Sequence, residues 1–402
     1  MVPVVNNDLL LKAASIYGTP LYVYDKRCIQ YQFKKVKSTF ERNNAKIFYA
    51  CKALTNINIL RVIQQLGGGI DCVSINEVKL ALLAGFNSEN IIFTPNSVGF
   101  DEYLSATELN LNINIDNLNI LEDFGKYFGS RYPVIVRLNP HIMAGGNLKI
   151  STGHVDSKFG ISIEQIEEIK RIIEKTGLNV KGLHIHTGSE IKDIEVYLKG
   201  LELVLDLTKH FPELSIIDLG GGFKVPYKNE ELGTDMETLG LRVSEVLHKH
   251  EIQCNRTFEL WFEPGKFLVS QCGYFLVKAN VIKHSPARTF VGVNSGFNHL
   301  IRPMFYDAYH RITNISNPDG ELQTYNVVGN ICETDTFAWD REISKVKPED
   351  ILMFSNAGAY GFEMSSRFNT RARPAEVMIE DTELKLIRHR ETFEDLLQGV
   401  VM

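Results

Sequence analysis

Between about Val23 and Glu263 the chain repeats one pattern: a short apolar run rich in β-forming residues, then a longer stretch of helical period. The short runs fall at residues 47–51, 69–73, 91–94, 113–116, 134–139, 182–186, 216–220 and 259–263. Between them, segments such as 57–66, 76–84, 163–175, 191–209 and 239–250 carry apolar residues every three or four positions. Strand following helix following strand requires parallel strands with right-handed crossovers, and eight such units favour a closed (β/α)8 barrel of the TIM type over an open sheet. After Gly265 the texture changes to strand-like runs at 274–282, 289–293, 323–328 and 376–379, broken by turn residues, which predicts an antiparallel β domain. The fold class is therefore α/β.

Size and charge agree with an enzyme of two domains. At 402 residues the chain exceeds what one ordinary core supports. Its hydrophobic fraction of 44% and charged fraction of 23% are those of a folded globular protein. A net charge of −6, with basic residues scattered, argues against nucleic acid or an anionic membrane as partner and for a small molecule. Residues 1–12 lack the basic flank and apolar core of a signal peptide, and no later run approaches the ~20 apolar residues of a membrane span, so the expected location is the cytoplasm. Six cysteines are spread thinly, without a C-x-x-C pair or zinc spacing, and are expected as reduced thiols.

Several polar or glycine-rich clusters fall at the C-terminal ends of the predicted barrel strands, where barrel enzymes assemble their sites. Lys52 ends the first apolar run, so its amine would reach the barrel mouth, where a desolvated lysine becomes a nucleophile toward an aldehyde. A lysine at a strand tip can equally be an ordinary solvated side chain, and the other clusters bear on the choice. Gly220, Gly221 and Gly222 follow the seventh run, and three successive glycines let backbone N–H groups wrap a phosphate. His184 and His186 share one face of the sixth strand. They could hold a metal, but no acidic or third histidine ligand lies at a recognisable spacing, and stacking of an imidazole on an aromatic ligand is the better reading. Ser189 could donate to a phosphate oxygen. Glu263 ends the eighth strand and would suit a protonated ring nitrogen, or a salt bridge at the barrel rim.

Together these clusters resemble the fold-type III pyridoxal-phosphate decarboxylases over nearly the whole chain. The resemblance rests on YACKA at 49–53, GIDCVS at 69–74 with Glu77, SKFGI at 157–161, HIHTGS at 184–189, GGGF at 220–223, EPGK at 263–266, LIRP at 300–303 with Tyr306, Cys332-Glu333, and GAY at 358–360. It implies a barrel over 25–264, and a β domain built from 265–402 together with the N-terminal segment 1–24. It also implies pyridoxal 5'-phosphate as cofactor, held as a Schiff base on Lys52, with Asp71 and Glu77 close by. His186 would stack on the ring, while Ser189, Gly220, Gly221, Gly222, Lys266 and Tyr360 would hold the phosphate. Glu263 would keep the ring nitrogen protonated, so that the cationic ring accepts the electron pair left by departing carbon dioxide.

By the same resemblance the active unit is a homodimer with shared sites, in which Cys332, a candidate proton donor, and Glu333 come from the partner subunit. Glu333 would meet the distal ammonium of the substrate, and Arg302 with Tyr306 its distal carboxylate. The implied reaction is decarboxylation of meso-2,6-diaminopimelate at its D centre to L-lysine, a step of lysine biosynthesis. Alternatives are a decarboxylase of carboxynorspermidine, ornithine or lysine, an alanine-racemase-like enzyme, or a non-catalytic homologue that binds a protein; ornithine has no distal carboxylate for Arg302. Lys266 stands where the family has arginine, Glu190 where it has glutamine and Asn330 where it has proline. Asp335 comes one position early, so Lys158 needs Asp335 or another partner across the dimer.

Overall fold

The computed structural model describes residues 2–142, 153–154 and 156–401; the expected barrel span also includes 143–152 and Val155, which lie outside the described residues. The chain forms two compact units, one of Gln32–Val225 and Leu232–Phe267, the other of Met1–Tyr31, Pro226–Glu231 and Leu268–Met402.

The first unit is a closed barrel. Its eight strands, Lys46–Ala50, Gly69–Cys72, Ile91–Phe93, Asn112–Ile115, Val134–Asn139, Val180–Ile185, Ile216–Asp218 and Glu259–Phe262, pair in parallel, each with the next, and the eighth pairs with the first. All eight predicted runs become these strands. The connecting helices Ile57–Gln65, Ile75–Ala84, Ile166–Thr176, Ile194–Leu207 and Met236–Cys254 lie close to their predicted places. Side-chain caps mark several of their starts, such as Ser74 accepting from Glu77 N–H and Asp235 from Thr238 N–H.

A packed layer fills the barrel interior. Phe48, Ile92, Ile135 and Ile216, from the first, third, fifth and seventh strands, cluster with Trp261 of the eighth. Strands two and six contribute glycine to this layer: a Cβ on Gly69 would run into the Phe48 ring, and one on Gly182 would lie 3.0 Å from Ile216 and 3.1 Å from Ile135. Bulky residues on alternate strands thus take the space that their neighbours leave. The layer is a floor, and what stands above it is reached two residues further along each strand.

The second unit is a nine-stranded mixed sheet, mostly antiparallel as expected, with two parallel pairings. One joins Thr289–Val293 to Leu322–Val328. The other joins Leu21–Asp25, from the N-terminal segment, to Ala375–Glu380 near the C-terminus; its second neighbour, Gly273–His284, is antiparallel. The helix Asn7–Tyr17 covers this part of the sheet through Leu10, Ala13 and Ala14, packed with Leu21, Val23, Leu276 and Val377.

Candidate active site

Two positions beyond the apolar floor, the inward face of the barrel turns polar on nearly every strand. From Gly69 the step leads to Asp71, from Asn112 to Asn114, from Ile135 to Arg137, from Gly182 to His184, from Ile216 to Asp218 and from Trp261 to Glu263. All six side chains are buried. Lys52, in a single 3-10 turn after the first strand, sends its Nζ to within 3.4 Å of Asp71 Oδ2, while Asp71 Oδ1 is buried without a hydrogen-bond partner among the described residues. Glu77 accepts from Val73 N–H at 2.8 Å.

The two histidines are held as neutral rings. Asn114 Nδ2 lies 2.5 Å from His184 Nδ1, and Gly221 N–H donates to His186 Nδ1 at 3.3 Å, so each imidazole carries its proton on Nε2. Burial and then the Arg137 cation push the pKa of both down, that of His186 to about 3. His184 Nε2 is 3.4 Å from Glu263 Oε2. Glu263 is pushed well above the ordinary carboxylate range by burial and by Asp218 and Asp71. Burial likewise raises Asp218 to about 7, against the pull of the Gly220 N–H that its Oδ1 accepts at 2.8 Å. His184, Asp218 and Glu263 bring donor atoms within 4.8 Å of one another, as do Cys51, Cys72 and Glu77. The spacing of the sequence hid both groups, because the first draws on three strand ends and the second on a 3-10 turn, a strand and a helix.

The three glycines form a turn that admits no side chain. Gly220 and Gly222 have φ of +65° and +97°, where a Cβ is strained. A Cβ on Gly220 would lie 2.6 Å from His186 Nδ1, one on Gly221 would strike Glu263 O, and one on Gly222 would strike Gly188 O. Ile191 N–H donates to Gly222 O at 2.9 Å, which ties the segment carrying Ser189 and Glu190 to this turn. Lys266, just after the eighth strand, forms an ion pair with Glu190.

In the second unit, Arg302 begins the short helix Arg302–Tyr306 and is buried. Three tyrosine rings surround its guanidinium, Tyr227 at 5.8 Å, Tyr306 at 5.9 Å and Tyr360 at 6.0 Å. Its Nε has no hydrogen-bond partner among the described residues. Cys332 and Glu333 lie exposed in the loop after Leu322–Val328, where the Cys332 thiol meets the Asn369 side-chain amide at 3.2–3.4 Å. Asp335 fixes this loop from beneath: its buried carboxylate accepts from Phe297 N–H at 2.7 Å and Ile331 N–H at 3.1 Å. Gly296 and Gly329 leave room for it, since a Cβ on either would overlap Asp335 Oδ2. Lys158 lies 5.0 Å from the centre of the Phe159 ring.

Sequence reasoning missed Asp218, Arg137, Asn114 and Tyr227. Asp218 and Arg137 were within reach, because a polar residue two places on from an inward apolar one stays on the inward face, whereas Asn114 follows the polar Asn112 and lacked that cue. Tyr227 had no such signal, since it stands in an irregular segment and only the tertiary fold brings it to Arg302.

A parallel barrel with a lysine beside a buried aspartate, a turn of three glycines and two buried acids whose pKa values are raised suits pyridoxal phosphate. The orphaned oxygens of Asp71, Asp218 and Glu263 are buried polar atoms that such a ligand could meet, and a turn of three glycines leaves its backbone uncovered by side chains. Residues 26–270 match the family model described as pyridoxal-dependent decarboxylase, pyridoxal binding domain, which sets the class. Within that class, diaminopimelate decarboxylase of Methanothermobacter thermautotrophicus is 36% identical over 97% of this chain and 93% of its own length. The Campylobacter jejuni diaminopimelate decarboxylase is 34% identical over 94% and 95%. A crystal structure of diaminopimelate decarboxylase from Helicobacter pylori complexed with L-lysine superposes with a TM-score of 0.89 at 30% identity, covering 97% of this chain and 98% of that one. The chain belongs to the diaminopimelate decarboxylase family of pyridoxal-dependent decarboxylases.

Proposed function

We propose that this protein removes carbon dioxide from meso-2,6-diaminopimelate to give L-lysine. The observation that carries the choice of substrate is Arg302, only 6% exposed and ringed by tyrosines. A buried guanidinium is costly unless an anion meets it, and its planar fork fits a carboxylate. Diaminopimelate offers a second carboxylate to Arg302 and Tyr306 and a second ammonium to Glu333.

In this reading Lys52 presents its amine to the aldehyde of the cofactor, and Asp71 at 3.4 Å stabilises the ammonium when that amine is released. His186, neutral, offers a flat uncharged face to the ring. Ser189, the amides of Gly220, Gly221 and Gly222, Lys266 and Tyr360 would hold the phosphate, with the Gly220 and Gly221 N–H groups exchanging the Asp218 and His186 acceptors they meet in the cofactor-free chain for phosphate oxygens. Glu263, which burial holds protonated in the cofactor-free chain, would give that proton to the ring nitrogen and then face it as a carboxylate. Bound pyridoxal phosphate supplies the cationic ring that takes up the electron pair of the broken carbon–carbon bond. Cys332 returns a proton to Cα. The family resemblance assigns Cys332 and Glu333, which are exposed on their own chain, to the site of a partner subunit, so the proposed active unit is a homodimer with two shared sites. The enzyme acts in the cytoplasm; no described helix is long and apolar enough to cross a membrane.

The test is carbon dioxide release from a panel of meso-diaminopimelate, carboxynorspermidine, ornithine and lysine. Diaminopimelate is expected to lead, and equal or faster turnover of ornithine would overturn the assignment.

A further inference from the structure

We infer that Glu190 competes with the phosphate of the cofactor for Lys266 and so weakens and tunes cofactor binding; this rests on the pyridoxal-phosphate reading of the barrel site. The glycine turn 220–222 is wedged between two stretches of chain. On one side Gly222 abuts Gly188 O and accepts from Ile191 N–H at 2.9 Å. On the other, Gly221 abuts Glu263 O, and its Cβ would lie 3.3 Å from Pro264 Cα. Glu190 belongs to the first stretch and Lys266 follows the second, and their side chains meet as an ion pair beside the turn.

The pair is not an ordinary surface contact. Its side chains are 13% and 20% exposed, so water screens it poorly. Glu190 is also fixed at its backbone, with φ of +64°, a conformation that non-glycine residues seldom adopt, and its neighbour Ile191 is anchored to Gly222. The carboxylate is therefore held at the rim of the phosphate cradle by the same segment that supplies Ser189. The ammonium available to a phosphate dianion is already shared with a carboxylate, and the carboxylate itself repels the incoming dianion. Both effects act on the phosphate alone. Pyridoxal, which carries the ring and aldehyde without the phosphate, would feel neither.

The test is equilibrium binding of pyridoxal phosphate to cofactor-stripped protein, read by absorbance, for the natural chain, Glu190→Gln and Lys266→Ala, with pyridoxal, which lacks the phosphate, as control ligand. Glu190→Gln keeps the shape and removes the charge, and is expected to tighten pyridoxal phosphate about tenfold, the size of one partly screened charge contact, and to leave pyridoxal unchanged. Lys266→Ala should weaken pyridoxal phosphate and again leave pyridoxal unchanged. Equal or weaker pyridoxal phosphate binding by Glu190→Gln, in a protein whose natural form does bind it, would sink this inference alone. A natural chain that takes up no pyridoxal phosphate would sink the cofactor reading and this inference with it.

Discussion

Asp218 and Glu263 are acids kept in a place that favours their neutral form, and the pH response of the cofactor-free protein follows. An unfolded aspartate titrates near ~3.9, whereas Asp218 in the fold is raised to about 7. Between those values the folded state binds the extra proton, so this contribution to stability is present at low pH and is lost as pH rises through about 7. His184 and His186 act in the opposite sense, their depressed values removing stability as pH falls below the unfolded histidine range. Asp218→Asn retains an acceptor for Gly220 N–H but has no charge to bury. Its melting temperature relative to the natural chain is expected to rise between pH 5 and pH 8, and a difference independent of pH would refute the assignment. Arg302→Leu belongs to the same scale. Loss of a charge-assisted carboxylate grip should raise KM for diaminopimelate about a hundredfold, measured by steady-state carbon dioxide release, with far less effect on the cofactor spectrum. At this scale the sequence was legible wherever a residue stood at a strand tip, as Lys52 and Glu263 do. Asp218 was obscured because it closes an apolar run beside the more conspicuous glycines 220–222, and the partnership of Lys266 with Glu190 because 76 residues separate them.

Among elements, the loop after Leu322–Val328 shows how a short irregular segment is held without a ladder. Asp335 satisfies two backbone donors in it, and the Gly329 N–H donates to Asp335 O at 2.7 Å. The early position of this aspartate left Asp335 or another residue to meet Lys158 across the dimer; within the chain the Asp335 carboxylate is turned inward to hold its own loop. Asp335→Asn replaces one acceptor with a donor facing an N–H group, at a cost of about 1–3 kcal/mol locally. Faster amide exchange across 329–335 and a lower kcat are expected, without change in the absorbance of bound cofactor; unaltered exchange would show that the loop is held by other means. The barrel strands were readable because parallel strands buried on both faces are short continuous apolar runs. Strands such as Ile312–Asn314 and Ile351–Phe354 were not singled out, being three and four residues long and bounded by polar chain that carries no period. The parallel seating of Leu21–Asp25 was likewise invisible, since pairing direction is set by partners far away in sequence.

For the whole molecule, the proposed sharing of sites makes an unusually direct prediction. Lys52→Ala and Cys332→Ala should each be nearly inactive alone. If Cys332 serves the partner's site, random exchange of subunits in an equal mixture creates hybrid dimers with one intact site, restoring about a quarter of natural activity. No recovery after verified exchange would place Cys332 in the site of its own chain. Sedimentation should give twice the 45.5 kDa chain mass. The architecture was legible to this level because repeated strand–helix units leave few topologies open. The order of strands in the mixed sheet was not, as it depends on chain ends that meet only in the finished fold.

That meeting has a consequence for how the protein is made. Tyr24 donates to Glu376 at 2.7 Å across 352 residues of sequence, and strand Leu21–Asp25 completes its pairing only with Ala375–Glu380. A chain emerging from the ribosome can close its barrel once residue 262 is free, while its first strand waits, one edge open, until residues 375–380 have been synthesised. Such an edge invites pairing with other chains. Translation that stalls or ends between the barrel and Ala375 therefore releases a molecule with a finished barrel and an adhesive strand at 21–25, and the codons for that stretch carry a disproportionate share of the risk of aggregation.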